Sequence, residues 1–98
     1  MKKNEYYPIE LAELEKIASE EDIKEAWFEE FVEASGENKK YGYQLFIVTY
    51  AGELYSLHTQ RDQIRRFSNI CYAHKFMRRL RVEKYFFINI EFEHVFNN

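Results

Sequence analysis

Ten consecutive residues, Tyr41 to Tyr50 (YGYQLFIVTY), constrain this chain more than any others. The run is rich in β-branched and aromatic side chains and is short for a helix, so it reads as a strand. Leu45 and Ile47 point to one side and Phe46 and Val48 to the other. A strand apolar on both sides belongs mid-sheet, with each side covered by the fold or by a partner. Ala51-Gly52-Glu53 is a turn, and Leu54 to Thr59 returns as a second strand, giving a hairpin.

The segments before this hairpin read as helical. Pro8 suits a first helical turn, because its missing N–H has no partner there in any case. Ile9, Leu14, Ile17 and Ala18 follow on a narrow stripe. Ser19-Glu20-Glu21-Asp22 resembles a capping box, which implies a bend or a new helix start. From there to about Ala34, Ile23, Trp27 and Phe31 recur at spacings of four, with Phe28 and Val32 beside them, as on an amphipathic helix against a core. Gly36 stops this segment and Glu37 to Lys40 is a polar loop.

After the hairpin, Arg61 to about Leu80 reads as a helix, with Phe67, Ile70, Ala73, Met77 and Leu80 on one arc. Asp62 falls in its first turn and Arg78, Arg79 and Arg81 near its end, matching the helix dipole. Tyr85 to Phe96 reads as a last strand. Phe86, Ile88, Ile90 and Phe92 would be buried, and Phe87, Asn89, Glu91 and Glu93 solvated. The expectation is one α+β domain over residues 1–98. An N-terminal helix or helix pair precedes β-β-α-β, in a three-stranded, mainly antiparallel sheet. The last strand lies beside the first strand of the hairpin, through a right-handed crossover.

Composition supports a single folded domain. The 98 residues are 46% hydrophobic and 32% charged, too apolar for disorder. Aromatics reach 18%, and a surplus of large rings often sits on an interface. The single cysteine, Cys71, excludes an internal disulfide. No apolar run approaches the roughly 20 residues that span a bilayer. The start, MKKNEYYPIELAELE, has no apolar stretch of the signal-peptide kind. These features lead to the expectation of a cytoplasmic protein without membrane contact.

Charge is divided along the chain. Residues 1–37 carry a net −8 and residues 38–98 a net +5. On the predicted last helix Arg61, Arg65, Ser68, Tyr72, Lys75 and Arg79 form a basic stripe about 27 Å long. It could follow phosphates, with Tyr72 stacking, or meet an acidic protein. On the predicted second helix Glu21, Glu25, Glu29 and Glu33, with Glu20, form an acidic ridge suited to a basic partner. Either row could also be an ordinary solvated face. Cys71 and His74 are one helical turn apart and offer two metal ligands. His58 and His94 lack ligand spacing, so the expectation is a small buried thiol, a histidine at the core edge, and no metal. Lys40 to Phe46 has the aromatic character of RNA-recognition strands, but not their spacing or element order. A phosphate loop, a G-x-S-x-G elbow and an H-E-x-x-H pair are all missing, so no catalytic residue and no cofactor is named.

Residues 45–90 resemble a stretch of small plasmid-partition-associated proteins of mobile elements. The shared pattern is an apolar strand, the turn Ala51-Gly52-Glu53 and a second strand. A helix with the spine Phe67, Ala73, Phe76 and Leu80 follows, then Phe86-Phe87-Ile88. The resemblance covers about half the chain. It implies an accessory role in plasmid or phage biology, with no catalytic residues to carry over.

Three functions follow as expectations. The first is a non-catalytic regulatory protein acting by protein–protein contact, with Phe46, Val48 and Tyr50 as an interface and a homodimer plausible. The second is a nucleic-acid-binding domain using Arg61, Arg65, Tyr72, Lys75 and Arg79. The third is an inhibitor of a nucleic-acid-processing machine acting through Glu21, Glu25, Glu29 and Glu33.

Overall fold

The structure, a computed structural model, describes residues 6–88. It is α+β, but the sheet has five strands in place of three and is mixed. In chain order the elements are β1 (Tyr7–Ile9), α1 (Leu11–Ser19), β2 (Ile23–Ser35), β3 (Asn38–Thr49), β4 (Leu54–Leu57), α2 (Ile70–Leu80) and β5 (Phe86–Ile88). The strand order is β1-β4-β3-β2-β5. The neighbours β2/β3 and β3/β4 are antiparallel, and β1/β4 and β2/β5 are parallel.

The expected helix over residues 20–34 is strand β2. Its Glu and Ala residues favour a helix locally, but intrinsic propensity is a weak prior that tertiary context overrides. Here a long antiparallel ladder with β3 wins, running from Ile23 opposite Thr49 to Ser35 opposite Asn38. A bulge between Ile23 and Glu25 resets which face each residue takes. Beyond it Ala26 and Phe28 point into the core, opposite Ile47 and Leu45, while Trp27 points away, opposite Phe46. The β2/β3 ladder also outruns its neighbours. Among the described residues β4 covers only Phe46 to Val48 of β3, and β5 only Trp27 to Glu29 of β2.

Pro8 lies in β1, paired with Ser56, and does not open a helix. Helix α1 starts after Glu10, whose N–H donates to Glu13 Oε1 at 3.1 Å, so the capping interaction sits here and not at Ser19. The hairpin of β3 and β4 has the expected strands and turn. Gly52 takes φ 89°, and Thr49 Oγ1 accepts the Glu53 N–H at 3.1 Å.

Helix α2 begins nine residues later than expected. Asn69 caps it, its Oδ1 accepting the Tyr72 N–H at 3.0 Å. Residues 58–69 instead form a loop that extends the sheet edge. Tyr43 and Phe67 exchange two backbone hydrogen bonds, at 2.8 and 2.9 Å, and the Arg65 N–H donates to the Leu57 carbonyl at 3.0 Å. Asp62, expected in a first helical turn, has φ 60° in this loop. Buried Gly42 gives the loop room, since a Cβ there would lie 2.4 Å from Arg66 Cγ and 3.2 Å from the Phe67 carbonyl oxygen. Gly42→Ala is therefore expected to lower stability by about 1–3 kcal/mol in urea denaturation, the range for overpacking.

The last strand pairs with β2 and not with the hairpin. Its faces are the reverse of those expected: Phe87 packs on the core and Phe86 is 50% exposed. The expectations for Asn89, Ile90, Glu91, Phe92, Glu93 and His94 lie outside the described residues. The core is one cluster. Ile9, Ala26, Phe28, Leu45, Ile47 and Leu57 come from the sheet, Leu14 from α1, Ala73, Phe76 and Met77 from α2, and Phe67 from the loop. Both helices thus cover the same side of the sheet.

Candidate functional site

The opposite side of the sheet carries a row that crosses all five strands. Register places Pro8, Ser56, Phe46, Trp27 and Phe86 side by side. Cross-strand neighbours on one face sit about 5 Å apart, so rings in such a row touch. Trp27 stacks on Phe46 at 5.7 Å and on Phe86 at 6.1 Å, and Tyr6 sets its ring edge-on to Phe46 at 4.7 Å. Phe46 is only 3% exposed yet lies outside the core cluster, because these rings cover it. Among the described residues no helix lies on this face.

The flanking rows add apolar and acidic groups. Val48 pairs with Glu25 on one side and Leu54 on the other. Glu29 pairs with Gln44 and Ile88. Glu29 Oε2 also accepts the Trp27 indole N–H at 2.9 Å, which fixes the indole. Glu25 and Glu29 bring negative charge to these rows, and no Lys or Arg stands in them. The Ser56 hydroxyl, buried mid-row, has no hydrogen-bond partner among the described residues.

The acidic ridge therefore survives in altered form. Glu25, Glu29 and Glu33 lie on a strand and not a helix, with Glu33 opposite Lys40 in the ladder. Glu21 stands outside the strand, in the turn after α1, with φ 57°. Of the expected interface, Phe46 and Val48 share the outer face. Tyr50 is in the turn beyond it, exposed, its N–H donating to Asp22 Oδ1 at 3.3 Å. Trp27 and Phe86, both read as core from the sequence, are the main additions to this surface.

The basic stripe does not form one continuous row. Arg61 lies on an exposed turn of the 58–69 loop, and Tyr72 and Lys75 face outward from α2. Arg65 and Arg79 instead border a groove of about 710 Å³ between α1 and α2, joined by Arg81. The Arg65 guanidinium lies 4.9 Å from the centre of the Phe67 ring and 5.5 Å from that of Phe76.

Other polar groups stay scattered. Cys71 is exposed and not buried as expected, because it sits in the first turn of α2 on its outer side. His74 Nδ1 lies 2.6 Å from the Tyr85 hydroxyl, and His58 Nδ1 lies 3.2 Å from Asp62 Oδ1. Among the described residues no three His, Cys, Asp or Glu side chains are grouped to hold a metal ion. On the core side, burial raises the Tyr43 phenol above its usual range, assisted by Glu30. Tyr55 is raised likewise by burial, then by Glu53, which accepts its hydroxyl at 3.1 Å.

Among the described residues no helix is long and apolar enough to cross a membrane. No protein-family model matches the chain, and no curated protein or solved structure is significantly similar to it.

Proposed function

We propose that this chain is a small, non-catalytic regulatory protein that acts by protein–protein contact through the outer face of its sheet. The observation that carries this reading is the row of Phe46, Trp27 and Phe86 on the side away from both helices. Aromatic rings fixed by stacking contribute large contact area and lose little freedom on binding, which is why they dominate binding hot spots. The accompanying Glu25 and Glu29 select the partner's character. A complementary surface is apolar with Lys or Arg at its margin. Phosphates would meet repulsion here. A second copy laid face to face would set glutamates of like charge near one another, so a homodimer through this face is disfavoured.

The setting belongs to the same proposal: a cytoplasmic accessory protein of a plasmid or phage. Its support is the resemblance of residues 45–90 to partition-associated proteins, and the lone cysteine.

The test uses the full chain, tagged, as bait in extract of its native cell, with and without nuclease. A bound polypeptide should survive nuclease, disappear with Phe86→Ser and persist with Lys75→Ala. Phe86 is half exposed on an edge strand, so its loss leaves the fold intact. Loss of the partner on nuclease treatment would move the function to the basic residues of α2. Indifference to Phe86→Ser would remove the sheet face from the proposal.

A further inference from the structure

The groove between α1 and α2 is independent of the sheet face and has walls of opposite charge. Glu15 and Glu21 stand on the α1 side. Arg79 and Arg81 stand on the α2 side, with Arg65 from the preceding loop. Leu11, Phe76 and Leu80 supply apolar lining between them. Among the described residues no ion pair joins the two walls. The cavity volume, about 710 Å³, is that of a small-molecule site.

Two backbone features point to this groove as well. Glu21 has φ 57° and Arg81 has φ 63°, a left-handed conformation that side chains with a Cβ rarely adopt. Both end a helix, where glycine is the usual occupant. Of the left-handed positions away from the groove, 36 and 52 are glycine and 62 is an aspartate within a loop and not at a helix end. At the two helix ends that line the groove the chain keeps one acid and one guanidinium, on opposing walls. Strained residues of this kind cluster at ligand sites. Arg65 is also pre-positioned, its guanidinium held against two rings.

We infer that the groove binds a small amphoteric molecule of the amino-acid class, its carboxylate on Arg65, Arg79 and Arg81, its ammonium on Glu15 and Glu21, and its apolar body on Leu11, Phe76 and Leu80. A purely anionic ligand would leave the glutamates facing like charge, and a purely cationic one would face three guanidinium groups. Only a ligand carrying both signs matches both walls.

The experiment is a nuclear magnetic resonance titration of the full chain with three probes of one shape. They are L-phenylalanine, 3-phenylpropionate (no ammonium) and phenethylamine (no carboxylate). L-phenylalanine should shift the Leu11 and Leu80 methyl signals and bind about fivefold tighter than either analogue, the value of one added charge contact at an exposed site. Glu21→Gly and Arg81→Gly separate binding from folding. Each should raise the melting temperature, because glycine relieves the left-handed backbone. Each should also weaken L-phenylalanine by about fivefold. Arg81→Gly should leave phenethylamine no weaker, and Glu21→Gly should leave 3-phenylpropionate no weaker. Equal binding of 3-phenylpropionate and L-phenylalanine would overturn the amphoteric assignment. So would stabilised variants that bind L-phenylalanine undiminished. No shift at Leu11 and Leu80 with any probe would overturn the site itself.

Discussion

Phe28→Ala is expected to destabilise the protein by about 3–5 kcal/mol, the range for emptying a fully buried aromatic position. Phe28 is 0% exposed and sits at the centre of the core. Its ring stacks on Phe87 at 4.9 Å, meets Phe67 edge-on at 5.4 Å and lies 6.1 Å from Tyr85. Strands β2 and β5, the 58–69 loop and the segment after α2 therefore meet at this one side chain. A domain of this size is stable by only some 5–15 kcal/mol in total. The melting temperature should fall by at least about 12 °C, at roughly 4–8 °C per kcal/mol. Thermal and urea denaturation followed by circular dichroism measure it. A loss below about 1 kcal/mol would mean that Phe28 is not core, and that the register of β2 is wrong.

Trp27→Ser should give the converse result. It should cost little more than the ring contacts with Phe46 and Phe86, about 1–2 kcal/mol of stability. Partner affinity, however, should fall by at least about 30-fold, the loss of a binding hot spot of 2 kcal/mol or more. Trp27→Phe keeps the stacking but removes the N–H that reaches Glu29, so its affinity should fall by less than about tenfold. Calorimetric titration of the captured partner, beside the melting curve of each variant, separates the two effects. If Trp27→Ser unfolds the chain as readily as Phe28→Ala, the two residues share a core. In a helix they would be neighbours on one face, whereas in a strand they point to opposite sides.

That contrast also explains what the sequence conceals. Ile23, Trp27 and Phe31 recur every four residues, and so do Glu21, Glu25, Glu29 and Glu33. Four is close to one helical turn, and it is also two full strand periods. Such spacing marks one face of either element, so periodicity alone does not choose between them. The decision came from long-range pairing with β3, which no local pattern contains. The true neighbour of the last strand is β2, so it stays hidden while that segment looks helical. The strand Tyr41 to Tyr50 is legible because its β-branched and aromatic content and its shortness both favour a strand. Phe46 and Val48 are thus legible as one face of a strand, while the places of Trp27 and Phe86 on that same face are not. Arg65 and Arg79 are legible in the sequence only as charges. Their convergence with Arg81 on a groove depends on residues 58–69 forming a sheet-edge loop, which backbone bonds between Phe67 and Tyr43 impose.

The ladder of β2 and β3 extends past the last residues that other described elements brace. Beyond Tyr41, whose carbonyl accepts from Arg66 Nη1 at 3.1 Å, the three pairs from Glu33 opposite Lys40 to Ser35 opposite Asn38 continue as a two-stranded ribbon with no further strand among the described residues, roughly 10 Å long. A two-stranded ribbon has little stability of its own in water. This outer arm therefore draws its order from the base, as a cantilever draws stiffness from its wall. Its tip at Gly36, with φ 64° and open space around the position where a Cβ would stand, is where the polypeptide tolerates lengthening with the least disturbance to the body.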